Sequence, residues 1–173
     1  YLNDYVGALS KNVEGKSESV IKNALLDTNK TLLEESKRAR IEFTNALKDS
    51  GVKYVLVTNS KPVVDQILAN PVGIPKSLLD KLKIGENEVS GVSPQALWEL
   101  KQRVGFVQNN LKTASKLSPD AAEGFVNTSK LYGALADDMR AGLANTPGAL
   151  TKFEEMNQVV QGQKMFSSKI ENP

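Results

Sequence analysis

A long stripe of apolar and small residues in the first third of the chain most constrains how the chain can fold. Its members recur at alternating steps of three and four residues: Ile21, Leu25, Thr28, Leu32, Ser36, Ala39, Phe43 and Ala46. This spacing places them on one face of an α-helix, and we expect Leu26, Leu33 and Leu47 to widen that face. The pattern predicts one helix over residues 19–49. Such a helix is roughly 45 Å long, so other segments must cover its apolar side.

The next forty residues or so are interrupted by proline and glycine. Residues 52–58 are rich in β-branched and aromatic side chains, which are typical of strands. Because no second run of this kind is present to pair with it, we favour an extended connector over a true strand. Short helices are predicted over residues 62–69 and 76–82, since Pro62 and Pro75 suit the start of a helix and Asn70-Pro71 ends the first one.

Three hydroxyl–proline pairs, Ser93-Pro94, Ser118-Pro119 and Thr146-Pro147, divide the second half of the chain. A hydroxyl can accept a hydrogen bond from a free N–H at the start of a helix, and proline at the first helical position loses no hydrogen bond. The pairs therefore predict three consecutive helices. Short connections favour an antiparallel arrangement of neighbouring helices.

These elements define an all-α fold, a helical bundle of about five to seven helices. We expect a single domain over residues 1–173, with a long helical arm at 1–51, a punctuated linker at 52–92 and a three-helix unit at 93–172. A further short helix is predicted over residues 2–14. The chain begins without methionine and ends just after a helical pattern, so we expect it to be part of a larger protein.

The chain contains no cysteine and no histidine. This composition excludes Ser-His-Asp and Cys-His catalysis, disulfides and most zinc sites. Three acidic pairs remain as candidate acid–base groups: Glu34/Glu35, Asp137/Asp138 and Glu154/Glu155. Adjacent residues on a helix point about 100° apart, so we expect one member of each pair at the rim of the core and the other in solvent. We predict no enzymatic activity, no cofactor and no metal.

The residues best suited to contact a partner are Trp98 and a short basic patch. Tryptophan is favoured at protein interfaces, although a tryptophan in this position is more often a lid over the edge of the core. Lys37, Arg38 and Arg40 form the densest basic patch, but the formal net charge is only +2. A nucleic-acid-binding protein usually concentrates positive charge on one face, so we do not expect specific binding of nucleic acid. No apolar run approaches the ~20 residues of a membrane span.

The second half of the chain carries three further segments of characteristic order. Residues 96–105 contain an L-x-x-L-[KR]-x-x-[IV]-G pattern, residues 130–140 contain LYGAL-x-x-DM, and residues 147–157 contain P-G-A-L-x-x-F-E-x-M-N. Over residues 93–166 this order resembles helical segments of large virion-associated proteins of tailed bacteriophages, of the internal or DNA-ejection type. The resemblance implies a structural or genome-delivery role in a virion, with other virion proteins or a second copy as partners, and it implies no catalytic residues.

Two other classes of protein remain open as alternatives. One is a bacterial extracytoplasmic or sensor-type helical bundle that binds a small ligand, which requires a pocket with converging polar groups. The other is a cell-wall hydrolase domain that uses only carboxylates, which requires an acid and a base with separated pKa values.

Overall fold

The computed structural model describes residues 18–84 and 91–171, and within these ranges the chain forms six α-helices. They are α1 (Glu18–Ser50), α2 (Ser60–Ala69), α3 (Lys76–Ile84), α4 (Pro94–Ala114), α5 (Pro119–Gly142) and α6 (Pro147–Glu171). The predicted all-α fold is confirmed, including the long first helix, the two short helices and the three C-terminal helices. The helix predicted over residues 2–14 lies outside the described residues.

The chain divides into two compact units. The first contains the described residues up to Asp49 and from Gly148 onward, which are α1 and most of α6, and the second runs from Ser50 to Pro147. Helices α4 and α5 therefore lie in the second unit, whereas most of α6 lies with α1 in the first.

In the first unit, α1 and α6 run antiparallel. The rings of Phe43 and Phe153 pack with their centroids 5.4 Å apart. Farther along the pair, the Ser167 hydroxyl donates to Asn29 Oδ1 at 2.6 Å. Ser167 follows Phe153 in α6, whereas its partner Asn29 precedes Phe43 in α1. The two helices therefore run in opposite directions.

The predicted apolar face of α1 is narrower than expected. Leu32, Phe43 and Leu47 are buried, as is Ser36 in the same stripe. Leu26 and Leu33, which were expected to widen the face, are 48% and 41% exposed. The prediction was wrong for these two leucines because they lie beside the stripe rather than within it, and a core-facing stripe of a helix typically covers little more than about 100°.

The second unit is built around the antiparallel pair α4 and α5, with α2 packed against α5. The Lys101 ammonium donates to the Tyr132 hydroxyl at 2.9 Å, and Gln108 donates to the Ser129 hydroxyl at 3.0 Å. These two cross-helix hydrogen bonds fix the register of α4 against α5. Lys101 is only 4% exposed, and its ammonium lies 4.1 Å from the centre of the Tyr132 ring, where a cation is attracted to the aromatic face.

Two of the predicted helix caps are present. Ser93 accepts a hydrogen bond from the Ala96 N–H at 3.1 Å, and Ser118 accepts one from the Ala121 N–H at 3.3 Å. The hydroxyl of the third residue, Thr146, donates to the Leu143 carbonyl. Local hydroxyl–proline pairs therefore identify the starts of α4 and α5 directly.

The stretch predicted as an extended connector, residues 52–58, contains no helix, and it ends in a turn at residues 58–59 just before α2. Among the described residues, its β-pairing is an isolated antiparallel bridge, in which Val55 and Val92 exchange backbone hydrogen bonds of 2.7 and 3.0 Å. This bridge holds the connector beside the start of α4 and so forms part of the frame around the site described next.

Candidate functional groove

A groove of about 800 Å³ opens on the second unit, between α2, the end of α3 and one face of α4. Ala96, Leu100, Arg103 and Phe106 on α4 line it at steps of four and three residues, and therefore lie along one side of that helix. Phe106 lies ten positions after Ala96, so this wall is about 15 Å long. Most of the remaining apolar lining comes from outside α4, from the connector before α2, from α2, α3 and α5, and from the segment just before α4: Val57, Val64, Leu82, Val92 and Leu135.

The edge of the groove exposes an aromatic ring. Phe106 is 67% exposed, whereas Leu97 and Leu135 in the groove lining are each 1% exposed. The floor therefore belongs to the core of the second unit, and Phe106 is a free apolar contact at its rim. Exposed aromatic rings beside an apolar pocket are typical of binding surfaces.

The charged lining of the groove is mostly positive. Lys61, Lys81 and Arg103 lie on it with a single carboxylate, Glu99. The Lys61 ammonium is 3.1 Å from Asp65, and Glu99 accepts a hydrogen bond from Gln95. Among the described residues, neither Lys81 nor Arg103 forms an ion pair or a side-chain hydrogen bond. Glu99 and Arg103, four positions apart on α4, form no ion pair with each other, and Arg103 is exposed.

A buried carboxylate stabilises one wall of the groove from behind. Asp138 on α5 is 1% exposed and accepts hydrogen bonds from the backbone N–H groups of Asn59 and Ser60, both at 2.9 Å. Its oxygens also accept from the Asn59 amide and from the Ser60 hydroxyl. These donors stand at the start of α2, where free N–H groups and the helix dipole favour a negative charge. Because Ser60 lines the groove, Asp138 positions that wall.

The acidic pair Asp137/Asp138 separates into two different environments, but the inner member is buried in the core rather than at its rim. Asp137 is exposed and forms a 3.2 Å ion pair with Arg140, whereas Asp138 is buried. Asp138 is saturated with structural hydrogen bonds rather than open to a substrate. The sequence analysis did not predict this role of Asp138. The nearest indication is that the first turn of α2 contains no acidic residue of its own.

Trp98 does not provide an accessible contact surface. Only 9% of its surface is exposed, which fits the alternative of a lid at the edge of the core. The exposed aromatic residue of α4 is Phe106. The exposure of Phe106 could have been predicted from the sequence, because this residue falls outside the apolar stripe of Leu97, Val104 and Val107 that the helix buries.

The basic residues of α1 do not form one patch. Lys37 and Arg38 are exposed and Arg40 is half-buried. At about 100° per residue, Arg38 points well away from both Lys37 and Arg40. Arg38 therefore lies apart from Lys37 and Arg40, and the three charges do not create the concentrated positive face typical of nucleic-acid binding.

Within the part of the chain that the structure describes, no cluster of three or more acidic, cysteine or histidine side chains is placed to hold a metal ion. None of the described helices combines the length and apolar character needed to cross a membrane. Comparisons with protein-family models, with curated proteins and with solved structures found no match.

Proposed function

We propose that this chain is a non-enzymatic interaction domain that docks a partner in the groove of its second unit. The observation that carries the proposal is the exposed Phe106 ring beside an apolar floor, with cations along the rim. Such a combination provides apolar contact area together with orienting charges, which is how interfaces achieve affinity and specificity.

The polar groups at the groove support docking better than catalysis. The Ser60 hydroxyl is engaged by Asp138, and Glu99 is the single carboxylate of the described lining. Glycoside hydrolysis with carboxylates alone needs two of them on opposite sides of the bond that is cleaved. A cell-wall hydrolase is tested directly by turbidity clearing of peptidoglycan, with Glu99→Gln as the control, and we expect no clearing at any pH.

We place this docking role in the virion of a tailed bacteriophage, as part of a larger internal or genome-delivery protein. The support is the resemblance of residues 93–166 to helical segments of such proteins. The test is mass spectrometry of phage particles purified by density gradient from the organism that carries this sequence. Peptides of the chain should co-sediment with infectious particles, and their confinement to the host fraction would contradict the virion assignment.

A second candidate function is binding of a small ligand, and the size of the groove favours it. Ligand pockets typically span about 300–1,000 Å³, and this groove falls within that range. A thermal-shift screen of small anionic and apolar compounds separates the two functions. A ligand that raises the melting temperature, and loses its effect on Phe106→Ala, would favour the ligand-binding alternative.

A further inference from the structure

The wall that α4 contributes to the groove has the dimensions of a helix-binding site. Its lining positions from Ala96 to Phe106 follow one helical face for about three turns. An amphipathic helix places apolar side chains at a matching spacing of i, i+4 and i+7, and such helices are commonly bound in grooves between helices. The exposed Phe106 ring stands at one end of this wall, where an apolar side chain of a partner can pack against it.

The charges at the rim determine which partner fits. The Lys61 charge is partly compensated by Asp65, and Glu99 is engaged by Gln95. Lys81 and Arg103 carry positive charges that no other described residue neutralises. An arginine guanidinium binds a carboxylate through two parallel hydrogen bonds, which adds geometric specificity to the attraction.

We infer that the groove binds an amphipathic helix of a partner protein whose apolar stripe is flanked by aspartate or glutamate. The apolar stripe packs against Leu100 and Phe106, and the carboxylates pair with Lys81 and Arg103. This inference rests on the proposed docking function and specifies the chemistry of the partner.

The test uses displayed helical peptides as probes. A yeast-display library carries peptides of about 14 residues, with leucine fixed at i, i+4, i+7 and i+11 and with glutamate, glutamine or lysine at the flanking positions. The library is sorted against the fluorescently labelled whole chain at low salt. Glutamate should be enriched at least threefold over lysine at the flanking positions. The best clone, measured as a free peptide by fluorescence anisotropy, should bind at least tenfold more weakly to the Lys81→Glu/Arg103→Glu variant.

Matched variants separate the groove from the overall charge of the protein. Lys37→Glu/Arg38→Glu makes the same change in net charge on α1, and it should leave both the glutamate preference and the affinity unchanged. Sorting against Lys81→Glu/Arg103→Glu should reverse the preference toward lysine. All four substituted side chains are exposed, so circular dichroism should show unchanged helix content in both variants.

The remaining outcomes distinguish this inference from the proposed function. Peptides that depend on Phe106 but show no charge preference would overturn the acidic partner and leave docking in the groove intact. If no peptide is enriched, or if the enriched peptides bind Phe106→Ala as well as the unsubstituted chain, both the acidic helical partner and docking in the groove are overturned. A doubled solution mass that Phe106→Ala restores to that of one chain would identify a second copy as the occupant and overturn the inference.

Discussion

The carboxylate of Asp138 caps the start of α2 at Ser60, the first residue of that helix. Asp138 accepts from the Ser60 N–H at 2.9 Å and also from the Ser60 hydroxyl, although the two residues are 78 positions apart in the chain. The same carboxylate accepts two hydrogen bonds from Asn59. One buried side chain therefore satisfies donors at the start of α2 and attaches that helix to α5.

Removal of this carboxylate should destabilise the protein strongly. Asp138→Ala leaves the buried Ser60 N–H and hydroxyl and the partly buried Asn59 N–H without this acceptor, and each unsatisfied buried donor costs about 1–3 kcal/mol. We expect the free energy of unfolding to fall by about 3 kcal/mol or more, measured by urea denaturation followed by circular dichroism. Asp137→Ala is the matched control, and it should change the stability by less than about 0.5 kcal/mol because its ion pair with Arg140 is exposed. Equal effects of the two substitutions would contradict the capping role.

Ser36 is expected to be a site where a simple substitution stabilises the fold. Its side chain is 1% exposed, and its hydroxyl has no hydrogen-bond partner. Ser36→Ala removes this unsatisfied group and also improves helix propensity, so the free energy of unfolding should rise by about 1–2 kcal/mol. Ser168→Ala on the exposed side of α6 provides the control for propensity alone. A loss of stability in Ser36→Ala would show that the hydroxyl is satisfied in solution.

The contrast between local caps and Asp138 shows which features the sequence can predict. Ser93 and Ser118 cap helices that begin at the next residue, so each pair of adjacent residues contains its whole signal. The Asp138–Ser60 contact depends on how α5 packs against α2, which no local pattern describes. The long helix was predictable for the same reason as the caps, since the spacing of its apolar residues is a local property.

The groove was not predictable because it is formed by separate segments. Val57, Lys81 and Arg103 come from three different elements, and only packing brings them to one surface. The sequence instead drew attention to Trp98, a residue type common at interfaces, which the fold buries. Phe106 was the better indicator, because a large aromatic residue outside the buried stripe of its helix must either be covered or remain exposed.

Gly73 and Gly51, both in the second unit, allow the cost of backbone strain to be separated from the cost of a steric clash. Both adopt positive φ angles, +73° and +71°, which side chains other than glycine rarely tolerate. A Cβ atom at Gly51 meets open space, whereas one at Gly73 lies 2.0 Å from the Asp120 carbonyl oxygen at the start of α5. Gly51→Ala should therefore cost about 1–2 kcal/mol from backbone strain alone. Gly73→Ala should cost roughly 1–3 kcal/mol more because the backbone must also move apart. Similar losses in thermal or urea denaturation would mean that the loop at Gly73 does not pack closely on α5.

Light scattering after size exclusion tests whether one chain covers its own long apolar stripe. Leu32, Phe43 and Leu47 on α1 are buried within a single chain, and Phe43 packs against Phe153 of α6. Because this burial needs no second molecule, we expect a mass near 18.8 kDa that does not change with concentration. A stable higher mass would instead implicate the exposed leucines beside the stripe, Leu26 and Leu33. In that case Leu26→Glu/Leu33→Glu should restore the mass of one chain without unfolding it, since both side chains are already accessible to water.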